Sequence, residues 1–147
     1  MGDRNYPERA IGGGLLKVLI VDDDFMVRVL VKEFLTSFSD CDMAVDGHEA
    51  IQAFHLAWKS QKPYDLICLD IMMPEMDGQE VLCQIRAAEK QMGIKPKNEV
   101  KVVMVTALND PKNVFQAYSK GGATSYVVKP IVRDQLIDEL RNHRLIE

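Results

Sequence analysis

A chain of 147 residues, 47% apolar and 27% charged, has the size and balance of one ordinary globular domain, which excludes disordered, collagen-like and low-complexity architectures. With 18 Lys and Arg against 22 Asp and Glu, the formal charge of -4 leaves no cationic surplus for direct nucleic-acid binding. Cys41, Cys68 and Cys83 stand far apart with no C-x-x-C pair, which excludes a disulfide framework and a zinc site and predicts reduced thiols in a cytoplasmic protein.

Residues 1–14, with Pro7 and the Gly12-Gly13-Gly14 run, offer nothing to bury and predict a flexible tail ahead of a single domain over 15–147. The apolar cluster in that tail is too short for a secretory segment or a membrane span, so no membrane association is expected. The apolar run from Val18 to Val21 predicts a strand buried on both faces of a parallel sheet. Val27, Leu30, Val31, Phe34, Leu35 and Phe38 then recur at helical spacing. A second strand is predicted from Met43 to Val45. Asp46, with Glu49 three residues on, opens the next helix in the manner of a capping box, and Ile51, Phe54, Ala57 and Trp58 form its inner stripe. Leu66 to Leu69 reads as the third strand, followed by a helix from about Gln79 with Val81, Leu82, Ile85 and Ala88 inward. Gly93, Pro96 and Asn98 mark a surface insertion over 93–99 before the fourth strand, Val102 to Val105. Pro111 suits the opening of a fourth helix over about 113–120, Tyr126 to Val128 reads as the fifth strand, and Leu136, Ile137 and Leu140 line a last helix.

Five such βα units with right-handed crossovers predict a doubly wound α/β fold with a five-stranded parallel sheet. Ligands of these sheets bind beyond the carboxyl ends of the strands, so the residues that follow each apolar run are the candidates for chemistry. They are Asp22-Asp23-Asp24, Asp70, Thr106-Ala107 and Lys129-Pro130. Crowded carboxylates repel one another, and either raised pKa values or a bound cation relieves the cost; Mg²⁺, which takes one or two carboxylates and keeps several waters, suits an open acidic pocket. The Asp run also suits the start of the following helix, where the dipole favours negative charge. Lys129 offers an ammonium and Thr106 a hydroxyl for a phosphoryl group, and a carboxylate nucleophile would form an acyl phosphate that water reverses.

The motifs Val-Leu-Ile-Val-Asp-Asp-Asp at 18–24, Asp-Leu-Ile-Cys-Leu-Asp-Ile-Met-Met-Pro-Glu-Met-Asp-Gly at 65–78, Val-Met-Val-Thr-Ala at 103–107 and Tyr-Val-Val-Lys-Pro at 126–130 carry a family resemblance. Over about residues 16–147 the chain resembles a two-component response-regulator receiver domain of the single-domain, chemotaxis type. The resemblance implies a (βα)5 flavodoxin-like sheet of order 2-1-3-4-5. It implies a phosphorelay signalling domain rather than an enzyme, with only self-catalysed transfer to Asp70 and autodephosphorylation. The donor would be a sensor histidine kinase or a histidine phosphotransfer protein. Asp22, Asp23, Asp70 and the backbone carbonyl of Met72 would hold Mg²⁺, and Lys129 would pair with Asp70. Thr106 and Ala107 would meet the phosphate, and Tyr126 would swing inward, altering the face of the fourth helix, fifth strand and fifth helix that a downstream effector protein reads. The Lys129-Pro130 peptide would be cis, and Met73, Pro74 and Gly78 would shape the loop after the acceptor.

Met72 and Leu108, two residues beyond the acceptor and the threonine, cannot orient an attacking water, so a phosphorylated state longer-lived than that of fast chemotaxis receivers is expected. Asp24 lies beside the pocket without an assigned role, and His48, His55 and His143 are expected to be ordinary helix residues. The chain after Lys129 suffices for one helix, so output by docking to another protein is expected. The alternative, a small haloacid-dehalogenase-like aspartyl-phosphate phosphatase, has Met26 where that family prefers Thr or Val. A flavin-binding module would place a phosphate against three carboxylates.

Overall fold

The computed structural model describes residues 14–107, 112 and 122–147. The strands are β1 (Leu16–Val21), β2 (Ser39–Ala44), β3 (Leu66–Asp70), β4 (Lys101–Thr106) and β5 (Ser125–Val128). They are joined by α1 (Phe25–Leu35), α2 (Gly47–Lys59), α3 (Gly78–Gln91) and a 3-10 turn (Pro96–Asn98), and the C-terminal helix spans Arg133–Asn142. All neighbouring strands pair in parallel, in the order β2-β1-β3-β4-β5, so the expected doubly wound sheet forms.

The two-residue period of the strands splits the core. Leu19, Val21, Ile67, Leu69 and Met104 face α2 and α3, whose Phe54, Val81, Leu82 and Ile85 close that side. Val18, Ile20, Cys68, Val103, Val105 and Val127 face the opposite way, against Val31 and Leu35 of α1 and Leu136, Ile137 and Leu140 of the C-terminal helix. Strands buried on both faces show no polar alternation, which is why their apolar runs mark them in the sequence.

The second strand departs from expectation. It lies at Ser39–Ala44 rather than around Met43 to Val45, and Val45 falls outside it. As the edge strand it is half solvated, with Asp40 and Asp42 exposed, and so carries no apolar run to mark it. On α1, Val31 and Leu35 carry the burial while Leu30 is exposed, and Phe38 is buried beyond the end of the helix. The second helix start is as expected: Glu49 N–H donates to Asp46 Oδ1 at 2.9 Å, although the Glu49 carboxylate turns back to the Val45 N–H, also at 2.9 Å, rather than to that of Asp46. Pro111, the expected fourth helix, Leu108 and residues 1–13 lie outside the described residues.

The expected insertion after α3 is a mostly exposed connection, begun by Gly93 at φ +77° and closed by the 3-10 turn. It is anchored by Glu89, which is fully buried, accepts the Val100 N–H at 2.7 Å and pairs with Arg86 Nη1 at 2.6 Å. Arg86 Nε in turn donates to the Gly122 carbonyl at 3.0 Å, joining α3 to the chain entering β5.

Candidate functional site

At the carboxyl edge of the sheet, each candidate residue stands where its strand ends. The Asp22 N–H still donates to the Ala44 carbonyl of β2, at 3.2 Å, which carries the carboxylate into the interior at 2% exposure. Asp70 closes β3 at 3% exposure, and Thr106 closes β4 at 2%. The β4–β5 register pairs Thr106 with Val128, so Lys129 emerges beside it, its N–H donating to the Thr106 carbonyl at 2.7 Å. Lys129 Nζ then reaches across to Asp22 Oδ2 at 3.2 Å and Asp70 Oδ1 at 3.5 Å. The Lys129-Pro130 peptide is cis, as expected.

The Asp run divides its roles. Asp24 is the N-cap of α1, its carboxylate accepting the Met26 N–H at 2.9 Å, while Asp22 Oδ1 accepts the Asp24 N–H at 2.9 Å. Asp23 is exposed at the rim. Helix start and acidic pocket are therefore both present, on different residues of one triplet. One carboxylate oxygen each from Asp22, Asp23 and Asp70 lie within 4.8 Å of one another, a spacing and an all-oxygen donor set that fit a hard divalent cation such as Mg²⁺.

Burial pushes the Asp70 carboxyl up from 3.8 to about 6, with the Asp22 charge adding to the rise and Lys129 and the Met72 N–H opposing it. Burial pulls the Lys129 ammonium the other way, but Asp70 and Asp22 outweigh it and leave its pKa raised. Two carboxylates and one ammonium thus share a space from which water is largely excluded.

The loop after Asp70 depends on Gly78. Its N–H donates to the Ile71 carbonyl at 2.8 Å, and a Cβ at this position would stand 2.3 Å from the Asp70 carbonyl oxygen, so only glycine lets the start of α3 pack against the end of β3. Met73 is buried beneath this loop, Pro74 is exposed, and the Met72 side chain lies at the rim, 63% exposed. Ala107 is exposed beside Thr106, whose hydroxyl donates to the Ala107 carbonyl at 3.4 Å. Tyr126 points outward at 39% exposure, away from the inward position expected of a phosphorylated state. Val27, Leu30, Ala107, Lys129, Pro130 and Ile131 line a groove of about 370 Å³ next to the acids. His48 and His55 are exposed on α2 and His143 ends the C-terminal helix, all away from the acidic cluster.

The sequence reading overlooked Arg28, whose Nη1 donates to the Asp22 carbonyl oxygen at 2.7 Å, and the buried Glu89. Glu89 could have been found from its position, since it continues the inward stripe of Leu82 and Ile85.

Fold and site define a doubly wound α/β domain with a buried acid pair answered by a lysine at its carboxyl edge. Residues 18–141 match the response regulator receiver domain. The chain is 34% identical over 126 residues to the chemotaxis protein CheY of Listeria monocytogenes, covering 86% of this chain and 96% of that protein. It is 33% identical to the response regulator protein VraR of Staphylococcus aureus, covering 86% of this chain and 55% of that protein. Similar solved structures include a chain of the CheX-CheY-BeF3-Mg complex of Borrelia burgdorferi, with TM-score 0.74, 30% identity and coverage of 90% of this chain and 91% of that one. CheY4 of Vibrio cholerae gives TM-score 0.69 at 29% identity, covering 88% of this chain and 98% of that one. The chain belongs to the response-regulator receiver family, as a CheY-like signalling domain rather than a classical enzyme. Membership of that family sets aside the phosphatase and flavin alternatives. Among the described residues no helix is long and apolar enough to cross a membrane.

Proposed function

We propose that this protein receives a phosphoryl group on Asp70 from a sensor histidine kinase or a histidine phosphotransfer protein and passes the signal on by docking to a downstream effector protein in the cytoplasm. The observation that carries this reading is Lys129 Nζ standing between two nearly inaccessible carboxylates, 3.2 Å from Asp22 and 3.5 Å from Asp70. Residues 15–147 act as the signalling unit.

With its pKa at about 6, Asp70 is mostly ionised at neutral pH and able to act as a nucleophile. One of its carboxylate oxygens bonds to phosphorus as the bond from phosphorus to the donor imidazole nitrogen breaks, the nitrogen keeping the electron pair. Autodephosphorylation reverses the mark: water attacks phosphorus, the acyl oxygen leaves, and Asp70 is restored as a carboxylate. Asp22, Asp23, Asp70 and the Met72 backbone carbonyl would hold Mg²⁺, which would offset charge on the transferring group. Lys129 balances the charge that remains and follows the phosphate; the Thr106 hydroxyl, beside Ala107, donates to a phosphoryl oxygen. Tyr126 then turns inward and changes the face shared by β5 and the C-terminal helix.

Intact mass after incubation with a small acyl phosphate tests the reading: one phosphoryl group is gained in Mg²⁺, none in chelator and none by Asp70→Asn. A full gain by Asp70→Asn refutes it. Loss of the group after donor removal is slow, and Met72→Asn with Leu108→Glu, which add water-orienting groups, speed it by roughly one to two orders of magnitude. Unchanged decay shows that these positions do not govern the lifetime.

A further inference from the structure

Arg28 lies in the first turns of α1, half-buried, with its Nη1 donating to the Asp22 carbonyl oxygen at 2.7 Å. The Phe25 ring supports the guanidinium, 5.7 Å from Cζ to the ring centroid. The peptide group is planar, so the Asp22 carbonyl and the Asp23 N–H move as one rigid unit, and whatever holds that oxygen also sets the direction in which Asp23 leaves the strand. Asp22 is otherwise well fixed, through its N–H to Ala44, its Oδ1 to the Asp24 N–H and its Oδ2 to Lys129. Asp23 is not: it is exposed, and among the described residues no hydrogen bond holds its carboxylate. Yet its oxygen lies within 4.8 Å of those of Asp22 and Asp70.

We propose that Arg28 is a positioning residue of the acidic site, which clamps the Asp22–Asp23 peptide from α1 and thereby aims the Asp23 carboxylate into the cation-binding cluster. This rests on the reading of that cluster as a Mg²⁺ site. The clamp and the charge of Arg28 act in opposite senses. Removing a cation beside three acids by itself tightens binding of a second cation. Loss of the clamp lets Asp23 swing away and weakens it.

The full chain is titrated with Mg²⁺ by calorimetry, and the Asp23 amide resonance is recorded in chelator before any metal is added. In Arg28→Met, Mg²⁺ binds about five- to tenfold more weakly, the effect of losing one charge-assisted hydrogen bond net of the removed charge. The Asp23 amide shifts in the metal-free protein, which a merely stabilising role elsewhere on α1 would not produce. Arg28→Lys, still able to donate to the carbonyl, returns the affinity to within about twofold. Binding as tight as or tighter than the parent in Arg28→Met, with the Asp23 amide unmoved, overturns the proposal. Should Arg28→Met not fold, Phe25→Leu takes its place: it removes the ring beneath the guanidinium and weakens binding about two- to threefold with the same amide shift. No change in either quantity is then the refuting result. An Asp23→Ala protein that binds Mg²⁺ as the parent does refutes the site assignment itself, whereas loss in Asp23→Ala with none in Arg28→Met refutes only the role of Arg28.

Discussion

Replacing Asp70 with Asn keeps the side-chain volume and one acceptor oxygen while removing a charge that is 3% exposed beside a second buried carboxylate. Because burial, with Asp22, raises the Asp70 carboxyl from 3.8 to about 6, the folded protein binds this proton more tightly than the unfolded chain does. The stability linked to it is fully present below about pH 4 and is lost as pH rises through about 6. At 1.36 kcal/mol per pKa unit, ionisation withdraws up to about 3 kcal/mol from the metal-free fold at neutral pH. Asn withdraws nothing, and Lys129 still has Asp22 at 3.2 Å. In chelator at neutral pH, Asp70→Asn should therefore be the more stable protein by up to about 3 kcal/mol, or roughly 5 to 10 °C in Tm. Thermal or urea unfolding of the pair between about pH 4 and pH 8 measures this, with the gap closing toward the acid end. Saturating Mg²⁺ narrows it at neutral pH by stabilising only the folded parent. Equal stabilities in chelator at neutral pH, or a gap that widens on acidification, would refute the reasoning.

Glu89→Ala should cost about 3 kcal/mol or more in urea unfolding, since it removes the ion-pair partner of Arg86 and leaves the buried Val100 N–H without its acceptor, while Mg²⁺ affinity measured by calorimetry stays near that of the parent. Gly78→Ala forces backbone at the end of β3 to move away from a Cβ at 2.3 Å; a loss of about 2 kcal/mol or more and slower phosphorylation of Asp70 are expected, and a variant of parental stability and rate would contradict the close approach. With a thiol reagent and mass detection, exposed Cys83 should be labelled rapidly in the native protein and Cys68, whose thiol burial pushes up to about 12, only after denaturant is added; Cys41, raised by partial burial, should be intermediate. Trp58 lies with Pro63, Tyr64 and Leu145 in a cavity at the amino end of the strands, so its fluorescence should change little when Mg²⁺ is added.

The strands that carry the site could be read from the sequence because they are central. Burial on both faces writes β1, β3 and β4 as unbroken apolar runs, and the first polar residue after each run is the one that reaches the sheet edge. Asp22, Asp70 and Thr106 follow from that ground, and Lys129 from the shorter run that ends at Val128 of β5. Strand β2 could not be placed in the same way, since an edge strand with Asp40 and Asp42 in solvent lacks the pattern, and its predicted span fell several residues late. The spacing of α3 places Glu89 on the inward stripe, but what makes a buried carboxylate tolerable there, the Val100 N–H that joins Arg86 as its partner, is brought to it only by the fold.

Composition, apolar periodicity and four short motifs were sufficient for the fold class and for the candidate residues at the sheet edge, since those follow from local residue type and spacing. The allotment of tasks within Asp22-Asp23-Asp24 required the tertiary structure: only the packing of α1 against the end of β1 makes the third a helix cap and the first a buried anion. The rise of the Asp70 carboxyl and the Arg28 clamp on the Asp22 carbonyl belong to the same level. Both depend on how closely groups from different elements approach and how much water they exclude, and neither distance nor desolvation is written in the order of residues along a chain.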